Sequence, residues 1–277
     1  MPPNYSGDNV QFVFPKPGRV VMTLICVIGG VWLAFAVGMH WAGVPGEVFA
    51  LFCGNTAAIL HGQVWRLFTA PLMHAPNSFW HVLGVLFTLY FFATALEAQW
   101  KRARFLRFLL ALALLPGLAQ MAVELALPAR VSAALSGDYW FGGFALASGI
   151  TVAWAFGSNS GSVWLFGVVP VPPRVLVILV VASPFVYLIL GEPPPEGIAG
   201  LLAGCLGGWL LGGGTPSPLR RYWLKFRIGR LDAEVEREAA QRRKRAERSQ
   251  LKVIEGGRGK SEDENPRGRG PDGRWLN

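Results

Sequence analysis

Charge is scarce in this chain. Only 16% of its 277 residues are Asp, Glu, Lys or Arg, while 52% are hydrophobic. Soluble domains carry about 25% charged residues, so the deficit implies lipid-facing surface and excludes an ordinary soluble globule. Cysteine is scarce too. Cys26, Cys53 and Cys205 have no C-x-x-C spacing, so neither a disulfide framework nor a zinc site is supported. They read as small buried apolar residues. Histidine stops at His81, after His40, His61 and His74. No H-E-x-x-H occurs, which removes the zinc-hydrolase reading. Paired intramembrane acids are lacking as well: Asp138 is alone and Glu124 sits near a span end. That disfavours an aspartyl protease, and a channel or transporter for small molecules. No metal and no cofactor are expected. A cleavable leader is not expected either, because residues 1–17 are polar and Pro-rich and the first apolar run is too long for an h-region. That run reads as a signal anchor.

What the chain does have is long apolar runs. A bilayer core needs about 20 apolar residues per helix, and backbone in lipid must satisfy its own hydrogen bonds. Six stretches qualify: 20–41, 80–97, 105–127, 140–157, 174–190 and 197–213. The expected fold class is therefore an all-α polytopic membrane protein with a basic cytoplasmic tail. Lys16 and Arg19 precede the first stretch, Lys101, Arg102, Arg104 and Arg107 follow the second, and Arg220, Arg221 and Lys225 follow the sixth. With six crossings all three clusters face the cytoplasm, as the positive-inside bias requires. Both termini are then cytoplasmic, in a cell (inner) membrane.

The expected organisation is a cytoplasmic segment 1–19, a membrane domain 20–214 with an outer loop 42–79, a basic helical tail 215–254 and a disordered end 255–277. A loop of that length usually carries function or short helices of its own. Residues 1–214 hold nine Lys and Arg against seven acids; residues 215–277 hold 17 against 10, so the tail supplies +7 of the net +9. The basicity thus belongs to a membrane-proximal tail, and no nucleic-acid partner is expected. Residues 231–253 read as a helix with Glu-to-Arg pairs, solvated or touching anionic lipids.

Val64-Trp65-Arg66-Leu67-Phe68-Thr69, then Leu72-Met73-His74, Trp80-His81 and a closing Glu97, resemble the first loop and second span of the rhomboid family of intramembrane serine proteases. Lys101 stands where that family has a glycine. Trp140-Phe141-Gly142-Gly143-Phe144-Ala145 resembles the entry to the rhomboid catalytic helix. Gly197-Ile198-Ala199-Gly200 with Gly204 resembles the glycine pattern of the sixth span. The resemblance covers residues 62–213 and implies a six-transmembrane rhomboid-like bundle of the peptidase S54 type.

The same resemblance exposes what is missing. A serine hydroxyl needs a neighbouring base and donors facing the developing oxyanion. The nucleophile position falls on Ala145, the base position on Gly197, and the oxyanion-binding Asn on Val85. Ser148, in Ala147-Ser148-Gly149, is an alternative nucleophile in a shifted register, with His81 as its one conceivable base. That register leaves few residues for a span, so no catalytic residues are expected. His74 and His81 read as caps for polar loop groups. Arg66 reads as snorkelling to the interface or as a brace for the loop. Gly200, Gly204 and Gly208 read as close-packing residues, with Gly142, Gly143 and Gly149 to receive them. The expected function is a pseudoprotease binding transmembrane segments or membrane-protein clients. The alternative is an active rhomboid endopeptidase with a displaced site.

Overall fold

The computed structural model describes residues 16–157, 163–165 and 169–252. The chain divides into two compact units, Met1–Tyr222 and Trp223–Asn277. The expected disordered end, 255–277, lies outside the described residues.

Among the described residues, the regular structure of the first unit is helical apart from one hairpin. Helix α1 (Arg19–Trp41) is apolar along its length. Its opening amides have no partner within the helix. Val20 N–H and Val21 N–H donate instead to the two carboxylate oxygens of Glu97, at 3.0 and 3.1 Å. A Cβ on Gly18 would stand 2.3 Å from Glu97 Cδ, so the carboxylate occupies the room that this glycine leaves. The outer loop folds into three short helices, α2 (Gly46–Ala50), α3 (Thr56–Leu60) and α4 (Arg66–Thr69). Asn55 starts α3 by accepting the Ala58 N–H, an ordinary side-chain cap.

The second long helix is α5 (Phe79–Thr88) and α6 (Thr94–Gln99), joined by a π turn over Leu89–Ala93. Such a bulge shifts the facing of the helical turns beyond it; here Phe92 stacks on Trp154, ring centres 4.8 Å apart. Then come α7 (Arg102–Ala126), α8 (Ala129–Leu135) and α9 (Phe144–Gly157). The hairpin pairs β1 (Val163–Leu165) with β2 (Val169–Val171) antiparallel. Helix α10 (Pro173–Leu190) has Pro in its first turn and ends on Gly191 in the left-handed region (φ 71°), the two residue types that suit those ends. Helix α11 (Ile198–Gly212) closes the bundle, and α12 (Pro218–Lys252) comes after it.

Four described helices are long and apolar enough to cross a membrane: Arg19–Trp41, Phe79–Gln99, Arg102–Ala126 and Pro173–Leu190. Helices α9 and α11 are apolar but shorter. Every residue of α9 from Ala145 to Trp154 is buried, as expected of a helix that is apolar all round. Helix α11 packs along it in a seam of small residues. A Cβ on Gly204 would meet Ala145 O at 2.1 Å, one on Gly208 would meet Gly149 O at 2.1 Å, and one on Gly212 would meet Ala153 Cβ at 2.4 Å. Glycine and alanine every fourth residue on both helices therefore set their separation.

Two expected boundaries move. The fourth stretch is expected from residue 140, but α9 begins at Phe144. Residues 140–143 are loop because other loops take their amides. The tail helix, expected from 231, begins at Pro218 and runs to Lys252. In the second unit it is the described structure.

Candidate functional site

The loop leading into α9 carries the site, and its amides are spoken for one after another. Trp140 and Gly54 exchange backbone bonds at 2.9 and 2.7 Å. Phe141 N–H donates to Pro195 O at 2.8 Å and Gly142 N–H to Ala70 O at 2.9 Å. Gly143 N–H donates to His74 Nε2 at 3.3 Å. Phe144 N–H donates to Glu196 Oε1 at 3.1 Å. Non-helical backbone at membrane depth is stable only when buried in protein with its polar groups paired.

Glu196 is the residue that sequence reading passes over. It follows Pro193-Pro194-Pro195 in the turn between α10 and α11 and is 5% exposed. The same Oε1 accepts from His81 Nε2 at 3.1 Å. The His81 ring lies against His74 and Phe144, centres 5.1 and 5.3 Å away, and its Nδ1 is buried without a hydrogen-bond partner. Gly142 has φ +123°, and a Cβ there would meet Glu196 Oε1 at 2.1 Å and His81 Cε1 at 3.0 Å. The carboxylate thus fills the space that this glycine leaves. An acid between a proline triplet and a glycine, at the mouth of an apolar helix, was the available signal: a charge there is costly unless it is held.

His74 caps loop groups as expected. Its Nδ1–H donates to Leu72 O at 3.1 Å while Nε2 accepts the Gly143 amide, which fixes the neutral Nδ1–H tautomer. Burial, reinforced by neighbouring His81 and opposed by the Leu72 bond, lowers its pKa from 6.5 to about 4.

The positions expected from the resemblance lie near this carboxylate. Ala145 is buried beside it, on the wall of a cavity of about 20 Å³ that Gly142, Pro116 and Glu196 also line. That is room for roughly one water. Val85 presents a methyl to Gly143, whose Cβ would lie 2.9 Å from Val85 Cγ1. Gly197 has φ +75°, and a Cβ there would sit 2.2 Å from Gln120 Oε1. Gln120 is fully buried, and its Nε2 donates to Glu124 at 3.0 Å. Glu124 also accepts from Ser136 at 3.0 Å and from Thr56. Ser148 is buried within α9.

The other motif residues are braces. Arg66 is 5% exposed. Its guanidinium donates to Gln63 Oε1 at 2.7 Å, Cys53 O at 2.6 Å and Ala50 O, so it binds the outer loop together and does not snorkel. Beside it, burial pushes the Cys53 thiol up to about 12, with Arg66 pulling the other way. Trp65 is half exposed and donates to Leu51 O at 3.3 Å. Glu97 caps α1. Gly204 sits in the α9–α11 seam. Gly200 does not, since the nearest atoms to its Cβ position belong to Pro116 at 3.6 Å.

A bundle of apolar helices with its backbone paired internally defines an integral membrane protein. The rhomboid-domain family model matches residues 61–215, more than half of the chain. The chain belongs to the rhomboid family, whose fold is that of the intramembrane serine proteases. A search among curated proteins returns no match.

Proposed function

We propose that this chain is a six-span rhomboid pseudoprotease of an inner membrane, with both termini cytoplasmic, that binds transmembrane segments of client proteins without cutting them. The observation that carries the reading is the Glu196 carboxylate on the Phe144 amide and His81. Amide hydrolysis develops negative charge that needs open donors; here the amides from Trp140 to Phe144 are all taken from within the protein, one by an anion. An incoming oxyanion would meet a carboxylate. Ala145 offers no nucleophile, and with no histidine after His81 a hydroxyl on α9 has no imidazole from α11. Ser148 is buried inside the bundle.

Helices α9 and α11 supply the remaining two crossings on this reading, each lengthened by a loop packed inside the protein. The Lys and Arg clusters then fall on one side.

The test is reconstitution with a helix-destabilised transmembrane substrate and a fluorophosphonate probe. Wild type and Ala145→Ser are both expected to leave the substrate whole and the probe unreacted, while energy transfer reports binding of the substrate helix. Cleavage that disappears in Ser148→Ala would establish the active-protease alternative.

A further inference from the structure

Helix α12 changes character at Asp232. From Pro218 to Leu231 it carries five basic residues, Arg220, Arg221, Lys225, Arg227 and Arg230, and no acid. Residues 232–247 carry five acids and five bases. The first part is also aromatic. Leu219, Tyr222, Trp223 and Phe226 follow the i, i+3, i+4, i+7 spacing of one helical face. Their side chains are exposed: Tyr222 by 64%, Trp223 by 54% and Phe226 by 66%. Exposed rings at such density need a cover.

Two features say what covers them. The guanidiniums are carried with the rings: Arg227 lies over Trp223 at 5.3 Å and Arg230 over Phe226 at 5.9 Å. A cation held on an aromatic face suits a site where the ring sits among lipid glycerol groups and the charge meets phosphate. The chain also leaves the last apolar helix at Gly212 and enters α12 at Pro218, so with α11 as the sixth crossing this segment starts within a few residues of a bilayer surface.

We infer that the Pro218–Leu231 part of α12 lies in the headgroup layer and binds anionic phospholipid, while the charge-balanced part from Asp232 onward stays in water. The ring face enters the acyl boundary and the five cations gather phosphates. The inference rests on the proposed crossing by α11 and not on which side the termini face, because a nanodisc offers the same lipid on both faces.

Amide hydrogen exchange by mass spectrometry on the full chain tests it, in nanodiscs of pure phosphatidylcholine and of phosphatidylcholine with 30% phosphatidylglycerol. Residues 220–231 are expected to exchange at least tenfold more slowly in the anionic discs, and residues 236–247 equally in both. High salt should erase much of the difference. The variant R220Q/R221Q/K225Q/R227Q/R230Q should lose the lipid effect, and Y222S/W223S/F226S should lose most of it, with exchange in α7 and α9 unchanged as the sign of an intact bundle. Equal exchange of residues 220–231 in the two discs would overturn the inference. So would slowing that appears in neutral discs only when an RNA oligomer is added, which would make the segment a nucleic-acid site.

Discussion

Consider an alanine at position 208. Its methyl carbon would stand 2.1 Å from Gly149 O and 2.6 Å from Gly149 Cα. The obstacle is backbone in the buried stretch of α9, so no side chain can turn aside. Restoring contact distance moves α11 off α9 by roughly 1 Å, and a gap of that size forfeits a quarter to a half of the attraction of each neighbouring contact. Overpacking of this kind costs about 1–3 kcal/mol, and a backbone clash belongs at the upper end. The better helix propensity of alanine returns about 1 kcal/mol. The net expectation for Gly208→Ala is a loss of about 2 kcal/mol, or roughly 4–8 °C in melting temperature. Gly200→Ala is the control. It lies in the same four-residue series, but its new methyl would meet Pro116 at 3.6 Å, an ordinary contact. It should keep or raise stability. Thermal melts of both variants in detergent, followed by circular dichroism, decide the matter. Equal stability of the two would refute the claim that close backbone contact, and not glycine content, sets this seam.

Glu97→Ala removes both acceptors from the Val20 and Val21 amides; lost caps cost about 1 kcal/mol each, and faster proteolysis near residue 19 should accompany the lower melting temperature. Arg66→Ala strands Gln63 Oε1 and two loop carbonyls, with an expected loss of about 2–4 kcal/mol; Arg66→Lys should recover little, because an ammonium lacks the planar fork. His74 is held neutral by the fold, so its contribution is complete above pH 6.5 and is lost as pH falls toward 4. The size is about 3 kcal/mol, and His74→Asn should flatten the fall in melting temperature between pH 7.5 and 4.5. Cys53, buried with its pKa pushed up to about 12, should resist iodoacetamide at pH 8 until the protein is unfolded.

The long lipid-facing helices were legible because an apolar run of spanning length has one stable outcome in a bilayer. Residues 20–41 became Arg19–Trp41 and 174–190 became Pro173–Leu190. The start of α9 was not legible. Trp140-Phe141-Gly142-Gly143 is as apolar as a helix, and the acceptors at Gly54, Pro195, Ala70 and His74 hold its amides outside one. Those partners are distant in sequence and carry no local periodicity. The resemblance puts the expected nucleophile, oxyanion and base positions on Ala145, Val85 and Gly197 through the motifs around them. Glu196 was not legible, since its partners His81 and Phe144 lie on other elements. The tail showed the opposite weakness. Its acid–base pairing points to residues 231–253, while the aromatic turns before them carry no pairing to count.

The bare α-carbon at Gly197 has a reach beyond its own turn. Because no side chain stands there, Gln120 occupies the space, and its amide grips Glu124, which in turn grips Thr56 and Ser136. A side chain at 197 would dislodge the first link and loosen the others in order. The entrance to the last helix is thus joined to the outer loop by neighbouring side chains of α7, Gln120 filling the room at Gly197 and Glu124 holding Thr56.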